Sequence, residues 1–148
     1  MPESAAKEDR IRGLAEPVFV DEVQDLLARM LGQAPEVGPE DAMPFELAVV
    51  EVVANAVKHA APAAEAKLEL DFELEIHSHV LVARLYEIGA VSFELPPEAE
   101  AMPDEDAESG RGLALARRLL STISCERHGD SNVWTLTRRS DGSPGAIA

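Results

Sequence analysis

The sequence is poor in cysteine, in basic residues and in long apolar runs. Cys125 is its one cysteine, which excludes an internal disulfide and a cysteine-rich zinc site and fits a reducing compartment. The 13 Lys and Arg residues stand against 28 Asp and Glu residues, for a net charge of −15. Such a field repels a phosphate backbone and disfavours sequence-general nucleic-acid binding.

No apolar run approaches the roughly 18 to 20 residues of a membrane span. Residues 1–3 include an acid and no base, so the basic lead of a signal peptide is missing. We therefore expect a soluble, cytoplasmic protein without a membrane partner.

The composition that is present is globular and of one-domain size. Of 148 residues, 46% are hydrophobic and 28% are charged, which predicts a single folded domain with its own core. We expect this domain to span residues 10–139. Residues 1–9 and 140–148 are expected to be flexible termini, because they are polar and the tail contains glycine and proline.

Hydrophobic periodicity predicts the order β, α, α, several β, loop, α and a β-hairpin. The predicted segments are an extended piece at 10–14, helices at 21–31, 44–61 and 113–123, strands within 67–87 with a turn near 77–79, and a hairpin of 124–128 and 132–138. The acidic stretch 94–108 contains three prolines and no base, which is typical of a mobile loop. This order favours an α+β two-layer sandwich, a mixed, mostly antiparallel sheet with helices on one face.

The second predicted helix carries polar residues within an apolar coat. Its predicted core seam has spacings of three and four residues and consists of Leu47, Val50, Ala54, Val57 and Ala61. Glu51, Asn55 and His59 recur every four residues and form one polar stripe. The stripe is either a solvated helix edge or a site, since a carboxylate can accept a proton and an amide oxygen can coordinate a hard cation. Lys58 lies near the stripe, where it contacts a phosphate or neutralises Glu51.

Two glycines and a cation stand immediately before the third predicted helix. The segment consists of Gly110, Arg111, Gly112 and Leu113. Free backbone N–H groups and the positive end of the helix dipole would converge there, which favours an anion. Alone, glycine before a helix is more often loop geometry; together with the polar stripe, it indicates a phosphate site.

These two segments resemble motifs of the ATPase superfamily that includes gyrase, sensor histidine kinases and anti-sigma-factor serine kinases. Residues 51–60 resemble its N-box, and residues 110–113 resemble its second glycine box. A histidine kinase would need an upstream helix pair with a phosphoacceptor, and a topoisomerase would need far more chain. The closest resemblance, over roughly 10–139, is to the anti-sigma-factor serine kinases, which implies the histidine-kinase-like ATPase fold.

The resemblance implies roles for individual residues. Asn55 is similar to the magnesium ligand and Glu51 to the general base that takes the proton from a serine hydroxyl. The N-box neighbours Lys58 and His59, and the glycine segment 110–113, would contact ATP. The acidic stretch 94–108 matches the mobile lid over the nucleotide.

The first glycine box departs from the family pattern. The family has Asp, any residue, then Gly, and the Asp carboxylate bonds the adenine amino group. Here Glu87 and Gly89 stand at those positions. Glu can accept the same hydrogen bond, but its extra methylene moves the carboxylate within a tight pocket.

The resemblance thus implies an ATP- and Mg²⁺-dependent serine/threonine protein kinase that acts as an anti-sigma factor. Its partners would be a sigma factor and an anti-sigma-factor antagonist protein, and it would form a homodimer. The alternative is a partner-switching module that sequesters a regulatory protein with weak or no ATP binding. Separately, Glu75, His77 and His79 form either a polar strand face or a metal site, and the pattern favours the former. Trp134 is predicted to be a packing anchor in the hairpin.

Overall fold

The computed structural model describes residues 7–63, 68–96 and 108–140. The elements are β1 (Lys7–Leu14), α1 (Pro17–Gly32), α2 (Pro39–His59), β2 (Glu69–Ile76), β3 (Val80–Ile88), α3 (Glu108–Leu119), β4 (Thr122–His128) and β5 (Ser131–Arg139). The five strands form one sheet in the order β1-β2-β3-β5-β4. Every hydrogen-bonded pair of neighbours among these described strands is antiparallel. The predicted α+β class is confirmed.

Strand alternation creates the buried face of the sheet. In β2 the apolar residues Leu70, Phe72, Leu74 and Ile76 are all buried, whereas the charged Glu73 between them is half-buried. Successive strand side chains point to opposite faces, so one face joins the core and the other carries charge. The turn between β2 and β3 falls at residues 77–79, as predicted. At that turn His77 Nε2 lies 2.9 Å from Glu75 Oε1, and the described residues contain no group of three that could hold a metal ion.

Helix α1 is longer than the sequence predicted. It starts at Pro17, four residues before the predicted start, because the missing N–H of proline is tolerated in a first helical turn. The predicted apolar stripe is buried and consists of Val23, Leu26, Leu27 and Met30. Strand β1 begins at Lys7, so residues 7–9 of the predicted flexible N-terminus pair with β2; residues 1–6 and 141–148 lie outside the described residues.

Helix α2 begins earlier than predicted, at Pro39, and Pro44 lies inside it. A proline within a helix cannot donate to the carbonyl four residues before it, which here is that of Glu40. The guanidinium of Arg138 donates to that carbonyl over 3.1 Å. A residue of β5 therefore satisfies the acceptor that Pro44 leaves open, and the helix continues.

The predicted core seam of α2 was wrong. The buried apolar residues are Phe45, Ala48, Val49, Val52, Val53 and Ala56. Leu47 is 45% exposed, and Val50, Ala54 and Val57 are only half-buried. Because apolar residues surround most of this helix, its periodicity is compatible with either of two buried faces. In the folded protein the buried face is the one that contains Phe45.

Helix α3 and the hairpin also shift from their predicted bounds. The helix spans Glu108–Leu119, so residues 110–112 lie inside its first turns rather than in a preceding loop. Each glycine inside a helix lowers its stability by about 1 kcal/mol relative to alanine, a cost that a packed helix tolerates. Strand β4 starts two residues early, and the hairpin turn contains Gly129 with φ +62°. Residues 97–107 of the acidic stretch lie outside the described residues. Within the described ranges, no helix has the length and apolar character needed to cross a membrane.

Candidate functional site

Two connecting segments meet at one end of the sheet. The segment after α2 and the segment after β3 form an antiparallel bridge between Pro62 and Ala90. The Ala63 N–H donates to the Gly89 carbonyl over 2.8 Å, and the Val91 N–H donates to the Ala61 carbonyl over 2.8 Å. Gly89 has φ +81°, a left-handed conformation that favours glycine. The C-terminal end of α2 is thereby held beside the end of β3.

A cavity of about 200 Å³ opens at this junction. Its lining comes from α2, from β3 and the segment that follows it, and from β5: Asn55, His59, Ala60, Ala61, Glu87, Val91, Ser92, Phe93, Asn132 and Trp134. The fold therefore brings together three residues that the sequence singled out, Asn55, His59 and Glu87. They come from two elements, α2 and β3, that are separated by 20 residues of chain (60–79).

Glu87 is the charged residue at the floor of this cavity. It is 3% exposed, and both carboxylate oxygens accept hydrogen bonds from β5. The side-chain amide of Asn132 donates to Oε1 over 2.9 Å, and the indole N–H of Trp134 donates to Oε2 over 2.9 Å. Burial raises the pKa of Glu87, and these two hydrogen bonds oppose the rise because they stabilise the ionised form.

Asn132 connects Glu87 to the wall of the cavity. Its amide also donates to the Val91 carbonyl over 2.8 Å. Its oxygen accepts from the Phe93 N–H over 3.3 Å and from the Arg127 guanidinium over 3.1 Å. The Phe93 ring stacks on Trp134 with centroids 5.4 Å apart. The segment after β3 is thus fixed against β5.

Glu51 meets α3 one helical turn from Asn55. A Cβ built on Gly112 would lie 2.9 Å from Glu51 Oε1 and 4.0 Å from the Glu51 backbone oxygen. The two helices therefore pass so closely that a side chain at position 112 would push against the Glu51 carboxylate. The polar stripe of α2 and the glycine segment, predicted separately, are in contact in space.

The remaining predicted residues lie around this contact. Lys58 is exposed on α2, and Leu113 is half-buried against the core. The backbone of Gly110 and Arg111 is helical, and the side chain of Arg111 lies outside what the structure describes. Their roles toward a ligand stay predictions.

Sequence reasoning missed Asn132 and gave Trp134 only a packing role. Trp134 is 2% exposed, as a packing anchor should be, but its N–H also bonds Glu87. The available signal was the two-residue spacing, which places Asn132 and Trp134 on one strand face. The sequence could not identify Glu87 as their partner, because the pairing of Glu87 with Asn132 depends on the register of β3 against β5.

Comparison with known proteins agrees with this architecture. The crystal structure of the RsbU and RsbW domains of Rv1364c from Mycobacterium tuberculosis is similar with a TM-score of 0.65 at 19% identity. The match covers 96% of this chain and 34% of that one, so this chain spans about a third of its length. No curated protein matches the chain. The family model for the histidine kinase-like ATPase domain matches residues 14–138, and the chain therefore belongs to the family of histidine kinase-like ATPase domains.

Proposed function

We propose that the chain binds ATP with Mg²⁺ and transfers the γ-phosphoryl group to a serine or threonine hydroxyl of a partner protein, as an anti-sigma-factor kinase. The observation that carries the proposal is the contact between Glu51 and Gly112 beside the cavity that Asn55 and Glu87 line. A carboxylate that can act as a base, an amide oxygen that can hold a metal ion and a glycine-containing helix start can together position and stabilise a phosphoryl group in transfer.

The base of the nucleotide fits the cavity, and its phosphates extend toward α3. At about 200 Å³ the cavity is smaller than the ~300 to 1,000 Å³ typical of whole-ligand sites. It matches the base alone better than a complete nucleotide.

Asn55 would hold the magnesium ion through its amide oxygen. Mg²⁺ usually keeps several waters and is bound by few protein oxygens together with substrate phosphates. When bound, the ion neutralises charge on the phosphates. Gly110, Arg111 and Leu113 are assigned to the phosphates, and Lys58 and His59 to the nucleotide, on the family resemblance.

Glu51 would act as the general base. Its carboxylate lies beside α3, where the acceptor hydroxyl would approach the γ-phosphate. Glu51 takes the hydroxyl proton as the serine oxygen bonds to the γ-phosphorus, and ADP leaves with the electron pair of the broken P–O bond. Positioning and charge stabilisation supply most of the acceleration in this type of transfer.

The proposed partners are an anti-sigma-factor antagonist, which receives the phosphate, and a sigma factor, which is sequestered. We also propose a homodimer. Large apolar side chains exposed on α1 and α2 support protein contacts: Val18 is 54%, Met43 66% and Leu47 45% exposed. If α2 carries the dimer contact, Leu47→Glu should convert a dimer to a monomer in light scattering while nucleotide binding persists.

The first experiment is a thermal-shift titration with ATP and Mg²⁺. A ligand that binds only the native state raises stability by RT ln(1 + [L]/Kd). Asn55→Ala should abolish the Mg²⁺-dependent part of the shift. Glu51→Ala should retain the shift but lose basal ATP hydrolysis, in which water replaces the serine hydroxyl. Wild-type hydrolysis by Glu51→Ala would end the proposed role of Glu51.

A second candidate is sequestration without tight nucleotide binding. One observation favours it: both oxygens of Glu87 already accept hydrogen bonds from the chain itself. On this reading the base would meet a carboxylate that is already occupied. The absence of any shift at millimolar ATP would favour this candidate over the kinase.

A further inference from the structure

Each carboxylate oxygen of Glu87 accepts a hydrogen bond from a different side chain of β5, and both of these side chains are themselves fixed. The register pairs Glu87 with Asn132 and Leu85 with Trp134. Side chains two apart on a strand share a face, so Glu87, Asn132 and Trp134 all project toward the helices. Their three polar groups meet at the floor of the cavity.

The two donors have little freedom to move. Asn132 is 1% exposed and makes three further hydrogen bonds, to Val91, Phe93 and Arg127. Trp134 is 2% exposed, and Phe93 covers one face of its ring. A glutamate has one more rotatable bond than an aspartate. With both oxygens bonded to immobile donors, this added freedom is removed.

The arrangement leaves an acceptor that faces the cavity. An ionised carboxylate has about four lone-pair sites and no donor, and Asn132 and Trp134 use two of them. Both donors favour the ionised form, since a protonated oxygen would oppose an N–H. Glu87 lines the cavity, so its remaining lone pairs are available to a donor group on a ligand. A ligand carbonyl at that place would meet another acceptor.

We propose that Asn132 and Trp134 are positioning residues: they hold Glu87 as a fixed, acceptor-only group, and through it they make the cavity prefer a base with an amino group over one with a carbonyl. The inference rests on the proposed nucleotide binding. It also explains why glutamate can stand where the family has aspartate, because the longer side chain reaches both donors on β5.

The test compares ATP with ITP, whose base has a carbonyl in place of the adenine amino group. Affinities are measured by calorimetry for wild type and Trp134→Phe, which keeps an aromatic ring and removes the N–H. A hydrogen bond to a charged group corresponds to about tenfold or more in affinity. Wild type should bind ATP at least about tenfold more tightly than ITP. Trp134→Phe should lower this ratio about tenfold, mainly through weaker ATP binding.

Two further variants keep the test decisive. Glu87→Asp shortens the side chain by one methylene, away from both donors, and should also lower the ATP/ITP ratio, even if Trp134→Phe does not fold. Thr135→Val is the matched control, because Thr135 lies next to Trp134 on β5 but its side chain is on the other sheet face. It should leave the ratio unchanged.

The outcomes separate the two claims. If wild type binds neither nucleotide, the proposed function fails and this inference fails with it. If wild type prefers ATP and a folded Trp134→Phe keeps the full ratio, nucleotide binding stands and the positioning role is overturned. A Glu87→Asp variant with an equal or larger ratio would overturn it too, since the extra methylene would then have no use.

Discussion

Replacing Gly112 by alanine tests the contact between α2 and α3 most directly. The added Cβ would lie 2.9 Å from Glu51 Oε1, whereas ordinary contacts begin at 3.4 Å. The carboxylate oxygen must therefore move by about 0.5 Å, the difference between these two distances. It can do so, because it is the far end of a flexible side chain.

The expected effects on stability and on chemistry differ in size. Alanine in place of glycine within a helix stabilises by about 1 kcal/mol, and crowding against the movable end of one side chain opposes this by about 1 kcal/mol. The free energy of unfolding should therefore change by less than about 1 kcal/mol. A 1 Å misplacement of a reacting group can reduce a rate about 100-fold, so half that distance should reduce basal ATP hydrolysis about tenfold.

The assay combines urea unfolding with steady-state ATP hydrolysis, and Gly32→Ala is the control. Gly32 ends α1, and nothing lies within 4 Å of a Cβ built there. The control should keep the wild-type rate. A Gly112→Ala protein that hydrolyses ATP at the wild-type rate would refute a catalytic position for Glu51. Equal loss of ATP affinity and turnover would instead mean that position 112 acts on binding.

Three further predictions concern groups outside this contact. Arg138→Met should lower the free energy of unfolding in urea by about 3 kcal/mol, because it leaves Asp41 buried without its ion pair. As a control, Arg12→Ala removes the exposed ion pair with Glu69 and should change the free energy of unfolding by less than about 1 kcal/mol. Burial raises the pKa of Cys125 to about 12, so maleimide at pH 8 should label it far more slowly in native protein than in urea. The His77 hydrogen bond lowers the pKa of Glu75. The resulting stabilisation is present above the pKa that Glu75 has in the unfolded chain and is lost as pH falls through its pKa in the folded protein. Glu75→Gln should therefore reduce the fall in the free energy of unfolding at acid pH, measured by urea unfolding.

Most of the fold was predictable because its signals are local. The alternation of Leu70, Phe72 and Leu74 defines β2 and its buried face without any tertiary information. Helix starts were less predictable. Both Pro39 and Pro44 suit a first helical turn, and the choice depends on Arg138, almost 100 residues away, which satisfies the carbonyl of Glu40.

The candidate site was predictable only where polar residues break an apolar pattern. Glu51 and Asn55 are conspicuous because valines and alanines surround them. Asn132 and Trp134 have no such contrast, since a strand that begins after a turn commonly carries a polar residue and an aromatic one. Their importance comes from the strand register, which a single sequence does not reveal.

The cluster of Glu87, Asn132 and Trp134 is difficult to explain by stability alone. Glu87 and Asn132 are 3% and 1% exposed, and burial of a carboxylate carries a desolvation penalty even when hydrogen bonds are complete. Well-packed apolar residues of similar volume are often as stabilising or more so at such positions. The buried Leu85 and Leu136, two residues from Glu87 and Trp134 on the same sheet face, already supply apolar surface next to the cluster. A buried acceptor that opens onto a cavity is therefore better explained by what it binds than by what it stabilises. Glu87→Leu should remove the preference for ATP, and it should lower the free energy of unfolding because the buried Trp134 N–H loses its acceptor.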